Sequence, residues 1–336
     1  MKDTPVMGWC ERCVLVIAIC VAVVYLARRN TGNLARRVCL LSYPHDTISD
    51  MTLPIRYNRD WGVFMATIHL RGKPYEVIVD TGSRYLVVKR NGTITDAAKE
   101  GPPTLFYGTQ TEHVQWYESP VKLGSGFRTL QYAISHLREG STDFNILGLG
   151  VGQGHCRIDS DDCVAPLIRQ IHPRAKICLS LDARASGTLR LVSGKNCSTR
   201  SMHCLPMLRG FRYYGVAIEG MYTIDKEGNE VPIRSAPTRL VLDTGTNMLG
   251  THDAYHDDVV KRMKSRHTVV VVVRQTNGRK LRIQFDPDIY MWGGRPLVDT
   301  HELSDSSIMI LGSLFMRRTD LVFDPTAHTV HIRRNS

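Results

Sequence analysis

The sequence predicts a mostly β fold made of two similar, barrel-like lobes with a cleft between them. Three observations carry this. The first is a duplicated motif: Val77-Ile78-Val79-Asp80-Thr81-Gly82-Ser83 is matched by Leu240-Val241-Leu242-Asp243-Thr244-Gly245-Thr246. Each is a short apolar run that reads as a buried strand stopping at an acidic residue and a glycine turn. The second is a later repeat, Ile146-Leu147-Gly148 and Ile310-Leu311-Gly312, whose glycines lie 68 residues after Asp80 and 69 after Asp243. A repeat of this length is a duplicated domain rather than a solenoid unit. Its simplest geometry is a pseudo-two-fold with the two aspartates facing each other. The third is the rest of the chain, where short strand-like runs alternate with turn signals and no long helical pattern follows residue 27.

The chain has 336 residues, 43% of them apolar, enough for two lobes with cores. Its net charge is +11, of which the first 50 residues contribute +2. A basic surface can attract acidic substrates, anionic membrane or nucleic acid. A solvated basic surface is the plainer reading, and no aromatic-interleaved basic stripe points to nucleic acid. Residues 1–12 form an N-terminal tail. Residues 13–27 are uncharged and apolar. They are short for a spanning helix, which needs about 20 residues, and read as an uncleaved signal anchor, with a cleaved signal peptide as the alternative. Residues 28–56 read as a linker or short prosegment.

The paired motifs carry a resemblance. From about Tyr57 to Ile332 the chain resembles the pepsin family of aspartic proteases. Besides the two Asp-Thr-Gly motifs and the two Ile-Leu-Gly motifs, Gly62 to Ile68 resembles the strand before the first catalytic loop. Leu311-Gly312-Ser313-Leu314-Phe315 through Val322-Phe323-Asp324 resembles the family's C-terminal signature. The resemblance implies a bilobal pepsin-like acid protease fold, with an N-terminal lobe over 57–190 and a C-terminal lobe over 191–336. It implies a catalytic dyad of Asp80 and Asp243. Gly82 and Gly245 would let the backbone come close. Ser83 and Thr246 would hydrogen-bond the outer carboxylate oxygens, and Thr81 and Thr244 would brace the lobes across the pseudo-axis. Tyr107-Gly108 resembles the substrate flap, with Tyr117 as the fallback tyrosine. Gln110 stands where relatives often have glycine, and relatives usually carry a tryptophan where Val87 stands. Pepsin-like zymogens have a basic prosegment, which residues 28–56 resemble in charge.

Along the body, Arg71-Gly72-Lys73-Pro74 separates two apolar runs as a hairpin would. Tyr213 to Ile224 reads as a strand pair. Asn277-Gly278 between two β-branched runs is a strong hairpin signal. Among nine cysteines, Cys156 and Cys163 have the same spacing as Cys197 and Cys204, each pair in a polar, turn-rich stretch. Both pairs read as short disulfide loops, which imply an oxidising compartment. Neither has zinc-ligand spacing, so no metal is expected. Cys178 lies in an apolar run and reads as a core thiol. Asn91-Gly92-Thr93 and Asn196-Cys197-Ser198 are glycosylation sequons, a weak signal among ten asparagines.

Two carboxylates that share one proton can activate a water and protonate a leaving amine. The expected function is therefore aspartic-type endopeptidase action on a peptide or protein substrate, with no cofactor. The alternative is a catalytically silent peptide- or protein-binding protein on the same fold. Two motifs in one chain exclude a homodimer in which each subunit gives one aspartate, so a monomer is expected. The arginines that follow residue 27 argue for a cytosolic body by the positive-inside rule. The candidate disulfides argue for a lumenal or extracellular one and weigh more. A secreted or endolysosomal protein is the alternative if the signal is cleaved.

Overall fold

The computed structural model describes residues 50–89, 98–107, 110–135, 144–151, 164–172, 174–181, 186–193, 197–300 and 305–334. The readings made for residues 1–49, Asn91, Gly108, Cys156, Cys163 and Asn196 lie outside them. Among the described residues no helix is long and apolar enough to cross a membrane.

The first half runs β1 (Met51–Asn58), β2 (Val63–Leu70), β3 (Lys73–Asp80), β4 (Leu86–Lys89), β5 (Ala98–Lys99), β6 (Thr104–Tyr107), β7 (Gln110–Leu123), β8 (Gly126–Ser135), β9 (Asn145–Gly148), α1 (Leu167–Ile171), β10 (Ala175–Leu181) and β11 (Ser186–Ser193). The second runs β12 (His203–Pro206), β13 (Gly215–Ile224), β14 (Glu230–Pro232), β15 (Arg239–Asp243), β16 (Leu249–Thr251), α2 (Asp253–Lys264), β17 (Thr268–Arg274) and β18 (Lys280–Phe285). It continues through α3 (Pro287–Tyr290), β19 (Met291–Trp292), β20 (Arg295–Pro296), β21 (Val298–Thr300), β22 (Ile308–Gly312), α4 (Ser313–Met316), β23 (Thr319–Asp324) and β24 (Thr329–Arg334).

Alternation sets the faces. Along β1, Met51, Leu53, Ile55 and Tyr57 are buried while Thr52, Pro54 and Arg56 face solvent, the period of a half-buried strand. Residues 51–56 therefore belong to the sheet, a correction to the linker reading of 28–56. In β3 the last four residues are all buried, because this strand has protein on both faces, which is why it reads as a continuous apolar run. Strands β2, β3, β9, β4, β8 and β7 are joined in that order, and β7 pairs back onto β2 through His69–Lys122 and Leu70–Val121, closing a barrel.

The second half holds an eight-stranded sheet in which β13, β15, β22 and β16 are consecutive neighbours. The C-terminal strands β23 and β24 do not join it. They pair onto β10 and β12 and so extend the first sheet, which ties the chain end to the first half. Between Arg71 and Gly72 both φ angles are positive, as a two-residue primed turn requires. Gly278, at φ 80°, turns the β17–β18 hairpin.

Three readings are corrected by packing. Tyr213 to Ile224 is not a strand pair: β13 is one strand with a bulge between Ile218 and Gly220. The second half contains a 12-residue helix, α2, which buries Tyr255, Val259 and Met263 and is capped where the His252 ring accepts from the Ala254 N–H at 3.0 Å. That four-residue spacing, a helical stripe, was present in the sequence. Cys197 does not pair with Cys204. It forms a disulfide with Cys178, at a Cα–Cα distance of 6.6 Å, which also corrects the core-thiol reading of Cys178. The reason is topological. β11 turns back beside β10, setting Cys197 and Met202 against the patch of Cys178, Val192 and Val322. Cys204 is carried off into β12, opposite His331, as a free thiol.

Candidate active site

The duplicated motifs fold into duplicated geometry. β3 runs parallel to β9 so that Asp80 stands opposite Gly148, and β15 runs parallel to β22 so that Asp243 stands opposite Gly312. Each glycine is required by the strand that crosses it. A Cβ on Gly148 would lie 2.4 Å from the Tyr85 nitrogen, and one on Gly312 would lie 2.3 Å from the Met248 oxygen. The Ile-Leu-Gly repeat is thus the second component of each aspartate's support. It carries the chain under the Asp-Thr-Gly turn, where the Leu149 N–H donates to the Asp80 carbonyl at 2.7 Å and the Ser313 N–H to the Thr246 carbonyl at the same distance.

Across the pseudo-axis the two threonines interlock. The Thr81 N–H donates to Thr244 Oγ1 and the Thr244 N–H to Thr81 Oγ1, each at 3.0 Å. Thr81 Oγ1 donates to the Leu242 carbonyl at 2.9 Å and Thr244 Oγ1 to the Val79 carbonyl at 2.6 Å. Both residues are fully buried. Buried polar groups satisfied in this way act as a rigid joint.

The carboxylates sit above this joint, each against the other half's glycine. A Cβ on Gly82 would be 2.5 Å from Asp243 Oδ2, and one on Gly245 would be 2.4 Å from Asp80 Oδ1. Only glycine leaves that space. Asp80 Oδ1 accepts from the Gly82 N–H at 2.7 Å and the Ser83 N–H at 3.1 Å. Asp243 Oδ1 accepts from the Gly245 N–H, and its Oδ2 from the Thr246 hydroxyl, both at 2.9 Å. Ser83 serves Asp80 through its backbone N–H, and its hydroxyl beside the carboxyl acts to lower Asp80 against the larger effects of burial and Asp243. Burial first, and then the like charge of Asp243, push Asp80 far above the ordinary carboxylate range.

The hairpin of β6 and β7 brings Tyr107 to this site. Tyr107 packs against the cluster of Tyr85, Val87, Leu105, Val114 and Trp116. Its phenol is raised by burial and then by the Asp80 charge. The fallback, Tyr117, packs instead against the main core beside Tyr132, with ring centroids 6.1 Å apart. Val87, where relatives carry tryptophan, lies abreast of Ala133, which in turn lies abreast of Trp116. The small Ala133 lets Trp116 take up the space from two strands away. Its ring meets Tyr85 edge-on at 5.0 Å and donates to the Pro102 carbonyl at 2.7 Å, under the segment leading into β6. Sequence reasoning missed Trp116, because the cross-strand row that places it depends on register.

Among the described residues no group of His, Cys, Asp and Glu side chains could hold a metal ion. No family model matches the chain, and no curated protein matches it by sequence. Among solved structures it is similar to the crystal structure of an aspartic proteinase from Irpex lacteus, with a TM-score of 0.66 and 15% identity over 86% of this chain and 98% of that one. At that identity the likeness shows the fold, a bilobal pepsin-like one.

Proposed function

We propose that the protein is an aspartic-type endopeptidase. The observation that carries the reading is the pair of carboxylates packed against each other's motif glycine, with Asp80 pushed up so that the pair holds one proton. A peptide bond needs a base to activate water and an acid to polarise the carbonyl and protonate the amine. The pair has both. Asp80 keeps the proton and faces the scissile carbonyl. Asp243, whose oxygens accept from the Gly245 N–H and the Thr246 hydroxyl, takes a proton from the attacking water. The proton then returns to the nitrogen as the C–N bond breaks. The two titrate as one unit. Tyr107 closes over the site and excludes water, and its motion gates turnover.

The experiment is cleavage of a peptide library between pH 3 and pH 8, with a statine-type inhibitor as control. Inhibitor-sensitive cleavage that persists to near-neutral pH is expected, since the pair gives up its last proton only well above the carboxylate range. Peptide binding without cleavage at any pH would favour the catalytically silent alternative.

The same reading includes a monomer attached to a membrane through residues 13–27, with its body in an oxidising lumen or outside the cell. The Cys178–Cys197 disulfide supports the compartment. Protease protection of sealed microsomes tests it; a body digested without detergent would place it in the cytosol.

A further inference from the structure

We infer that the cleft selects an acidic side chain next to the scissile bond, and that Arg84 is the residue that binds it. The inference rests on the endopeptidase reading for the word scissile, but its evidence is independent of the dyad's chemistry. Arg84 follows Ser83, whose N–H holds Asp80. Its backbone is fixed: the Arg84 carbonyl accepts from the Leu167 N–H at 2.7 Å, and the Tyr85 carbonyl from the Gly148 N–H at 3.0 Å. Its guanidinium lies 5.4 Å from the centre of the Tyr85 ring. Its charge reaches the Tyr107 phenol, where it opposes the effect of burial. It therefore lies beside Tyr85, in whose cluster Tyr107 also packs.

What sets it apart is what it lacks. Among the described residues six arginines are half-buried: Arg84, Arg128, Arg190, Arg239, Arg262 and Arg317. Arg190, Arg239 and Arg262 donate to carboxylates, and Arg128 and Arg317 donate to backbone carbonyls. Among the described residues Arg84 donates to neither kind of acceptor. A guanidinium carries five N–H donors in a planar fork that matches a carboxylate, and that of Arg84 rests beside the Tyr85 ring with this fork open to an incoming group. The carboxylates nearest the flap do not fill it. Asp80 is held toward its neutral form, and Glu112, buried on β7, accepts from the Ser135 hydroxyl. The fitting acceptor is a substrate carboxylate, approaching a chain whose net charge of +11 already favours acidic partners.

The test uses peptides identical except for Glu, Gln or Lys at each of the three positions on either side of the cleaved bond. At pH 6 the Glu peptide should exceed the Gln peptide in kcat/KM by about tenfold at one position, the scale of one charge-assisted hydrogen bond in a partly screened cleft. The ratio should fall toward one below about pH 4, where the substrate carboxyl takes up its proton, and shrink with added salt. In Arg84→Gln it should be close to one at every pH. In Arg84→Glu it should turn in favour of Lys, and Arg84→Lys should retain part of it. Thermal melts show that each variant folds. A ratio unchanged in Arg84→Gln, or no position at which Glu exceeds Gln, overturns the inference. If no peptide is cleaved, the endopeptidase reading fails alone. The comparison then moves to fluorescence anisotropy with the same peptides, where equal binding of Glu and Gln forms overturns the inference and a preference lost in Arg84→Gln upholds it.

Discussion

Replacing Asp80 by asparagine should abolish cleavage and at the same time stabilise the fold at neutral pH. Asp80 is 8% exposed and its folded pKa is raised from 3.8 to about 8 by burial and by Asp243. A carboxyl raised in the folded state contributes its full stability below the unfolded pKa, and loses it as the pH climbs through the folded one. So the group costs nothing at pH 3 and an increasing amount from about pH 4 upward. At pH 7 the shift, at about 1.4 kcal/mol per unit, corresponds to roughly 4 kcal/mol if Asp80 bears all of it. Sharing with Asp243 reduces this to about 2–4 kcal/mol. The amide oxygen keeps the acceptor for the Gly82 and Ser83 N–H groups, and the amide NH2 can donate to Asp243, so no new buried group is orphaned. The assay is urea unfolding of wild type and D80N at pH 3, 5 and 7. Measuring the difference between the two cancels the carboxylates of opposite sign, such as Asp324, held below its usual range through Lys176 and the Ala327 N–H against the opposing effect of burial. A gain near zero at pH 3 that grows to pH 7 is expected. A loss at all three pH values, or a gain independent of pH, would refute the raised Asp80.

Other substitutions separate site from scaffold. Tyr107→Ala and Tyr117→Ala should each cost about 1–3 kcal/mol in unfolding, because both rings pack against apolar clusters, but only Tyr107→Ala should lower kcat strongly; the reverse result would move the flap tyrosine. Thr81→Val should cost about 2–4 kcal/mol, because it leaves the Thr244 N–H buried without an acceptor; Thr244→Val should match it, and a double variant should cost less than the sum, as read from denaturant midpoints. Non-reducing peptide mapping should find Cys178 joined to Cys197 and Cys204 open to alkylation, and a Cys197–Cys204 peptide would contradict this.

The facing of the two Asp-Thr-Gly loops was legible because its determinants are local and repeated. Asp80 and Asp243 each end a buried apolar strand, and the glycine opposite each recurs at nearly the same distance. The hairpins at Arg71-Gly72 and Asn277-Gly278 were legible for the same reason: a turn's backbone demands particular residues within it. What the sequence hid depends on partners far along the chain. The equal spacing of Cys197 and Cys204 suggested a local loop, but β12 pairs with β24 and removes Cys204 from reach, while β10 offers Cys178. Trp116 comes level with Val87 only through a row of three strands with Ala133 between. Strands β23 and β24 joined the first half's sheet, a choice that no pattern within them records.

The pseudo-symmetry breaks where the chemistry needs it to. At the second aspartate the residue after Gly245 gives a hydroxyl, and Thr246 Oγ1 binds Asp243 Oδ2 at 2.9 Å. At the first the Ser83 N–H donates to Asp80 Oδ1 at 3.1 Å, and the carboxyl is buried where that of Asp243 is only half-buried. A bond to the charged form favours that form, and burial disfavours it. The deeper burial acts on Asp80 and raises it, first by desolvation and then through Asp243. A symmetric pair would divide its proton evenly between acid and base. In the proposed mechanism the duplicated frame sets the two carboxyls in place, and their unequal burial separates acid from base. Thr246→Ala should therefore lower kcat without moving the frame, and it should shrink the Asp80→Asn stability gain at pH 7, because the charge then rests less favourably on Asp243; an unchanged gain would uncouple the two carboxyls.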